Sequence, residues 1–231
     1  METKLNVKLM AHTPEPEKLV AAAAKLCYSQ AGASEIMEDL TNANVERFLS
    51  GLMAISHFSP IEHVSFTFAI EGVSRALTHQ LVRHRIANYS QKSQRYVSEM
   101  DFDYIIPDVI KNNFYARETY EKIMVNAQTG YNSLFGILKL VGLNEKEAYE
   151  NARYVLPNAC ETKIVVTMNV RTLLHFFNQR CCSRAQTEIR EMADEMLRLC
   201  KEVAPMLFKN GGAPCVNGKC PEGSMSCGGV E

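Results

Sequence analysis

Apolar and polar side chains alternate most sharply between Val64 and Ile70. Val64, Phe66, Phe68 and Ile70 fall on one side, and Ser65, Thr67 and Ala69 on the other. Period two over this length predicts a half-buried strand. Gly72 is expected to end it. Residues 73–83 then change to helical spacing, with Val73, Leu77 and Leu81 on one face and Gln80 near His84. Earlier in the chain, Thr13-Pro-Glu-Pro-Glu opens a helix over 19–28, with proline and acids in its first turn. A second helix follows Asn44 and runs to about Ile55. Residues 86–100 carry few helix signals and read as a loop, and 104–107 as a short extended piece. The pattern is helical from 109 to about 141 and again from 144 until Pro157 stops it. Residues 164–168 read as a buried strand, and 171–180 and 186–207 as helices. Beyond Lys209, glycine, proline and small residues predict a tail with little regular structure. The result is a mixture of long helices and few strands, with no internal repeat and no linker that splits the chain.

Composition narrows this picture. A chain of 231 residues suits one sizeable domain or two small ones. With 46% hydrophobic and 22% charged residues it has the balance of an ordinary globular protein. A net charge of −1 argues against a general nucleic-acid binder. No apolar run approaches a membrane span, and the first residues lack a signal-peptide core, so a cytoplasmic location is expected. In that setting Cys27, Cys160, Cys181, Cys182 and Cys200 read as reduced, small apolar residues. Cys215, Cys220 and Cys227 lie in the glycine-rich tail. Their spacing is not that of a paired zinc ribbon, and a flexible tail with exposed thiols is the preferred reading over a metal site.

The candidate chemistry lies in two basic windows. From Gly72 to Ser98 there is no acid, yet the segment holds Arg75, His79, Arg83, His84, Arg85, Lys92 and Arg95. Residues 162–187 form a second acid-free window. Arginine forks match phosphate oxygens in pairs, and Ser93 with loop amides would complete an anion cradle. A solvated basic face is the competing reading. There is no Gly-x-Gly-x-x-Gly and no phosphate loop, which disfavours Rossmann and nucleotide-hydrolase readings. Arg180 shares an apolar stripe with Leu173, Phe176 and Phe177, so it either snorkels outward or faces a buried polar ligand. His175 has a core role as its plain alternative.

Arg83-His84-Arg85, seven residues and then Ser93 resembles the signature of the flavin-dependent thymidylate synthases. His57-Phe-Ser59-Pro-Ile-Glu62-His63 is similar to that family's upstream element. Gln80 stands three residues before Arg83, as in the family. Arg153-x-Val-Leu-Pro157, Asn169-Val-Arg171, and His175 through Arg180 to Gln186-x-Glu188 resemble its later signatures, in the right order over about residues 5–208.

The resemblance implies an α+β fold, with a central, mainly antiparallel sheet flanked by long helices, assembled as a homotetramer. It implies one domain over 1–210 and a tail over 211–231. It implies reductive methylation of 2′-deoxyuridine 5′-monophosphate to thymidylate, with FAD as cofactor and methylenetetrahydrofolate and NADPH as co-substrates. By position, Gln80, Leu81, Val82, Arg83, Gln91, Lys92, Ser93, Gln94, Arg95, Arg153 and Arg180 would contact the nucleotide, with Arg153 reaching in from another subunit. His57, Ser59, Arg83, His84, Arg85, Gln91, Asn169, Val170, Arg171 and His175 would contact FAD. Arg180 would be catalytic, stabilising negative charge on the uracil. No metal, nucleic acid or membrane is implied. No cysteine nucleophile is implied either, since Cys181 and Cys182 point about 100° apart from their helical neighbours and cannot share Arg180's direction. Gln91 departs from the family's frequent glutamate, Asn88 and Ser90 stand where many relatives show Ser and Asn, and Arg184 replaces a histidine. A different flavoenzyme acting on a nucleotide and a non-enzymatic nucleotide or RNA-binding module are the alternatives.

Overall fold

The strand pattern is realised in β2, Ser65–Ser74, whose Phe66, Phe68 and Ile70 are wholly buried. The computed structural model describes residues 1–228. Four antiparallel strands make one sheet in the order β1-β2-β4-β3. The others are β1 (Asn6–His12), β3 (Asn88–Gln91) and β4 (Glu161–Asn169). On one face of β4 lie Ile164, Val166 and Met168, all buried. On the other face the Thr67 and Thr167 hydroxyls bond at 2.9 Å, so β4 is half-buried like β2, not buried on both faces.

Along the chain, helices lie between and after these strands. They are α1 (Pro16–Leu26), α2 (Ala33–Asp39), α3 (Asn42–Ala54), α4 (Arg75–Leu81) and α5 (Asp108–Lys111). There follow α6 (Phe114–Leu140), α7 (Glu145–Ala152), α8 (Val170–Arg180) and α9 (Thr187–Val203). Side-chain caps explain most of the starts. Thr41, Ser74, Asn113, Asn144, Asn169 and Gln186 each accept a hydrogen bond from a first-turn amide. Among the described residues no helix is long and apolar enough to cross a membrane.

Several expectations are corrected. Gly72 does not end β2. It sits inside it at φ 66°, because a Cβ there would meet the Lys4 carbonyl oxygen at 1.9 Å. The next helix therefore starts at Arg75, with Ser74 as its cap. The expected loop over 86–100 contains β3, a four-residue edge strand with no apolar alternation to announce it. The helix over 109–141 is broken at Asn112 and Asn113, and Asn113 caps the second piece. The last helix stops at Val203, two residues before Pro205. Among the described residues the tail has two short 3₁₀ turns, Pro214–Asn217 and Gly223–Met225. Its first glycines are buried, with Gly211 against Leu197 and Leu174.

By contacts the chain divides into two units. The first comprises Met1–Asn6, Ile70–Arg83 and Ser90–Val165, and the second Val7–Ala69, His84–Tyr89 and the chain from Val166 onward. In the second unit an aromatic series builds the core. Phe66 meets Phe208 edge-on at 5.5 Å, Phe208 meets Phe177 at 6.0 Å, and Phe177 meets Phe176 at 5.7 Å.

Candidate functional site

That aromatic series ends on His84, whose ring meets Phe176 edge-on at 4.9 Å. His84 is buried, while Arg83 and Arg85 on either side of it are exposed. Tyr89 donates its hydroxyl to the His84 carbonyl at 2.9 Å and so pins the backbone. Arg180 Nε donates to His84 Nε2 at 3.2 Å. Desolvation, then the charges of Arg180 and His175, lower the His84 pKa to about 4. The ring is thus neutral at neutral pH, and its Nε2 is an acceptor able to take the Arg180 proton donor. One guanidinium donor is spent on fixing the plane of Arg180. The apolar stripe is confirmed: Leu173, Phe176 and Phe177 are wholly buried, with Arg180 partly so.

Around this pair, α8 positions the rest of the second unit's candidates. Asn169 caps the helix, accepting from Thr172 N at 2.8 Å. Val170 is buried, and its amide donates to Val64 O. Arg171 is exposed and pairs with Glu62. His175 is exposed rather than a core histidine, and contacts Gln179 through its Nε2 at 3.0 Å. His57 and Ser59 bond to each other at 3.2 Å, after Ser56 turns the chain at φ 57°.

In the first unit, Gln91 ends β3 and residues 92–95 continue as a loop, the segment being anchored from within. Gln91 donates to the hydroxyls of Thr78 at 3.0 Å and Thr162 at 3.2 Å. A glutamate there would have to accept from those hydroxyls instead, so the amide has a local reason. Lys92 reaches Glu99 at 3.0 Å and Glu161 at 3.6 Å. Gln94 donates to Cys160 Sγ at 3.7 Å. Ser93 Oγ accepts from Arg95 N at 3.3 Å. Arg95 pairs with Glu150 of α7 at 2.8 Å, and Arg153 Nε donates to the Glu150 carbonyl at 3.3 Å, so Glu150 brings these two arginines together. Gln80 and Leu81 close α4, with Leu81 wholly buried and Val82 and Arg83 exposed beyond it.

The window 72–98 is therefore free of acids in sequence but not in space. Lys92 and Arg95 are matched by Glu99, Glu161 and Glu150, brought in from later in the chain. Among the described residues Arg83 and Arg85 have no ion-pair partner. These partner acids, with Thr78, Thr162 and Tyr89, carried no signal in the sequence, because only tertiary contact assigns them a partner. Among the cysteines, burial pushes the Cys160 thiol up to about 12 and raises those of Cys200 and Cys181 further, with Asp194 adding to the last. None of these three can serve as a thiolate near neutral pH. Among the described residues no cluster of His, Cys, Asp or Glu could hold a metal ion. Arg184, which stands where a histidine was expected, pairs with Glu222 of the tail.

Residues 8–206 match the family model described as thymidylate synthase complementing protein. The chain is 56% identical to a flavin-dependent thymidylate synthase of Clostridium tetani, over 97% of this chain and 93% of that one. It is 50% identical to the protein of the same name from Nitratidesulfovibrio vulgaris, over 98% and 95%. It is 38% identical to that of Pyrococcus furiosus, over 94% and 90%. With similarity of this extent joined to the buried His84 between two exposed arginines, this chain belongs to the flavin-dependent thymidylate synthase family.

Proposed function

We propose that the protein methylates 2′-deoxyuridine 5′-monophosphate reductively to thymidylate, with methylenetetrahydrofolate as carbon donor and NADPH as electron source. The observation that carries this reading is the state of the Arg83-His84-Arg85 run. Two exposed arginines without ion-pair partners flank a neutral histidine that holds a third arginine, Arg180. Such a donor set suits a dianionic nucleotide and a dinucleotide cofactor. It fits FAD: Arg83, Arg85 and Arg171 supply charge for its phosphates, and His57, Ser59, Asn169 and His175 supply polar contacts. When bound, the flavin would supply the hydride.

The protein's own residues do the remaining work. Gln80, Val82, Arg83 and the 91–95 loop hold the nucleotide, with Ser93, Arg95 and loop amides at its phosphate. The buried Arg95 Nε lacks a hydrogen-bond partner among the described residues, a cost that an incoming acceptor would offset. Leu81 and Val170 are buried, so they would meet ligands through the backbone. Arg180, its plane set by His84, stabilises the negative charge that develops on the uracil. The raised thiol pKa of Cys181 speaks against that residue as an activated nucleophile beside it.

The chain acts as a homotetramer in the cytoplasm, with Arg153 crossing to a neighbour's nucleotide. Residues 1–210 form the catalytic domain, and 211–231 lie outside it. The exposed apolar side chains of α6, among them Phe114, Ile123, Val125, Ile137 and Leu140, support the assembly. No nucleic acid or membrane takes part.

The test is spectroscopic and kinetic. Purified protein is expected to carry or take up FAD with flavin absorbance bands, and to form thymidylate from deoxyuridylate, methylenetetrahydrofolate and NADPH. Arg180→Lys keeps the charge but loses the planar fork, and is expected to lower turnover sharply, while Cys181→Ala and Cys182→Ala retain it. Failure to bind flavin at low salt, or an inactive, folded, flavin-loaded cysteine variant, overturns the reading.

A further inference from the structure

Lys92 belongs to the loop just assigned to the nucleotide phosphate, yet its ammonium points elsewhere. It lies 3.0 Å from one carboxylate oxygen of Glu99 and 3.2 Å from the other, and 3.6 Å from Glu161. Both acids are nearly sealed from solvent, at 2% and 6% exposure. Each is tied to the framework in its own right. Glu161 accepts from the Gly72 amide at 3.1 Å through its second oxygen. Glu99 donates its amide to the Tyr131 hydroxyl at 3.3 Å, and its carbonyl accepts from Gln128 at 3.0 Å. The Lys92 amide donates to the Lys163 carbonyl at 2.9 Å, which fixes the other end of the same residue. With Gln91 and Gln94 also turned inward, Ser93 is left at the apex. Its carbonyl accepts from the Tyr96 and Val97 amides at 3.2 and 3.0 Å.

We infer that Lys92, Glu99 and Glu161 form an internal counter-ion lock that sets the position of the Ser93 loop, and that Lys92 is a positioning residue, not a ligand of the substrate phosphate. The inference rests on the nucleotide reading of that loop. The physical reason is that two buried carboxylates need a cation more than an external phosphate does. A phosphate could recruit Lys92 only by leaving two buried acids with Arg75 as their remaining cation. Burial raises the Glu99 pKa and the Lys92 ammonium pulls it back, while Glu99 and Glu161 outweigh desolvation to raise that of Lys92. Arg75 acts on Glu99 as well, so two acids face two cations. The electrostatics thus hold the lysine inside.

Two roles for Lys92 predict opposite outcomes when the acids are removed with it. Lys92→Met alone strands the carboxylates, and is expected to weaken deoxyuridylate binding about tenfold and to speed amide hydrogen exchange over 91–97. The triple variant Lys92→Met, Glu99→Gln, Glu161→Gln removes both buried carboxylates together with the lysine, so no acid is left stranded and only the half-buried Arg75 keeps its charge. It is expected to bind deoxyuridylate within about threefold of the wild type, with slow exchange regained. A folded triple variant that still binds about tenfold more weakly makes Lys92 a phosphate ligand and overturns the inference. Glu99→Gln alone gives a second route that does not depend on either. It leaves every cation in place, so a phosphate ligand predicts unchanged or tighter binding, whereas the lock requires weaker binding and faster exchange over 91–97. Unchanged exchange in Glu99→Gln likewise overturns the lock. A wild type that ignores deoxyuridylate refutes the nucleotide reading instead, and the exchange data still decide whether the lock exists.

Discussion

At the scale of single residues, His84 concentrates the most chemistry. Its ring is packed on Phe176, its carbonyl is held by Tyr89, and its Nε2 accepts from Arg180. A histidine whose pKa falls from 6.5 to about 4 on folding binds its proton more tightly when unfolded. The stability it supports is complete above pH 6.5 and is lost progressively as pH falls from there towards 4. Between pH 6.5 and 5 the expected loss is about 1.5 kcal/mol, before most carboxylates titrate. His84→Gln, which cannot titrate, should flatten that part of the stability curve. Equal pH slopes for the two proteins in urea melts would show that His84 is not buried as a neutral ring. The basic run was legible in the sequence because its charges are consecutive. The neutrality of its central histidine was not, because it depends first on burial of the ring and then on Arg180, a cation 96 residues away.

At the scale of elements, the periodic signals translated into structure where one face is buried. In β2 the alternation of Phe66, Phe68 and Ile70 predicts the inward face correctly. The capped starts of α4, α7, α8 and α9 lie close to the expected ones, since a cap is a local hydrogen bond that the sequence spells out, whereas Asn113 caps α6 at a break the pattern does not predict. Errors fell where a partner element decides. Glycine usually interrupts a strand, but Gly72 continues β2 because the Lys4 backbone passes where its side chain would be. Gly72→Ala is therefore expected to cost about 2 kcal/mol or more, from a positive φ together with the clash. Chemical denaturation of the variant measures this, and a midpoint equal to that of the wild type would show that the Lys4 segment is not held against β2. β3 was hidden for a related reason. Its four residues pair as an edge strand and need no apolar face of their own.

At the scale of the whole molecule, the surface of α6 poses a question that a single chain does not answer. This 27-residue helix buries only Met124 and Tyr131 and exposes Ile123, Ile137 and Leu140. An apolar face on that scale is expected to be covered by further copies, giving a particle four times the mass of the 26.0 kDa chain. Ile137→Glu with Leu140→Glu should split the assembly while leaving the chain folded, since both positions are exposed within it. Sedimentation of the wild type as a monomer at micromolar concentration would remove the assembly from the proposal. The sequence by itself determined the family, the α+β class, the inward face of β2, most helices, and the two windows where cations gather. Each of these is written in neighbouring residues, through periodicity, capping chemistry or contiguous motif. Only the tertiary structure decided that Lys92 and Arg95 are matched by acids, that His84 is neutral, that Gly72 stays within a strand, and that the start of the tail packs against Leu197. The physical reason is common to all four: the outcome depends on which distant group folding brings within a few ångströms, and charge, burial and backbone approach act at that range regardless of separation along the chain.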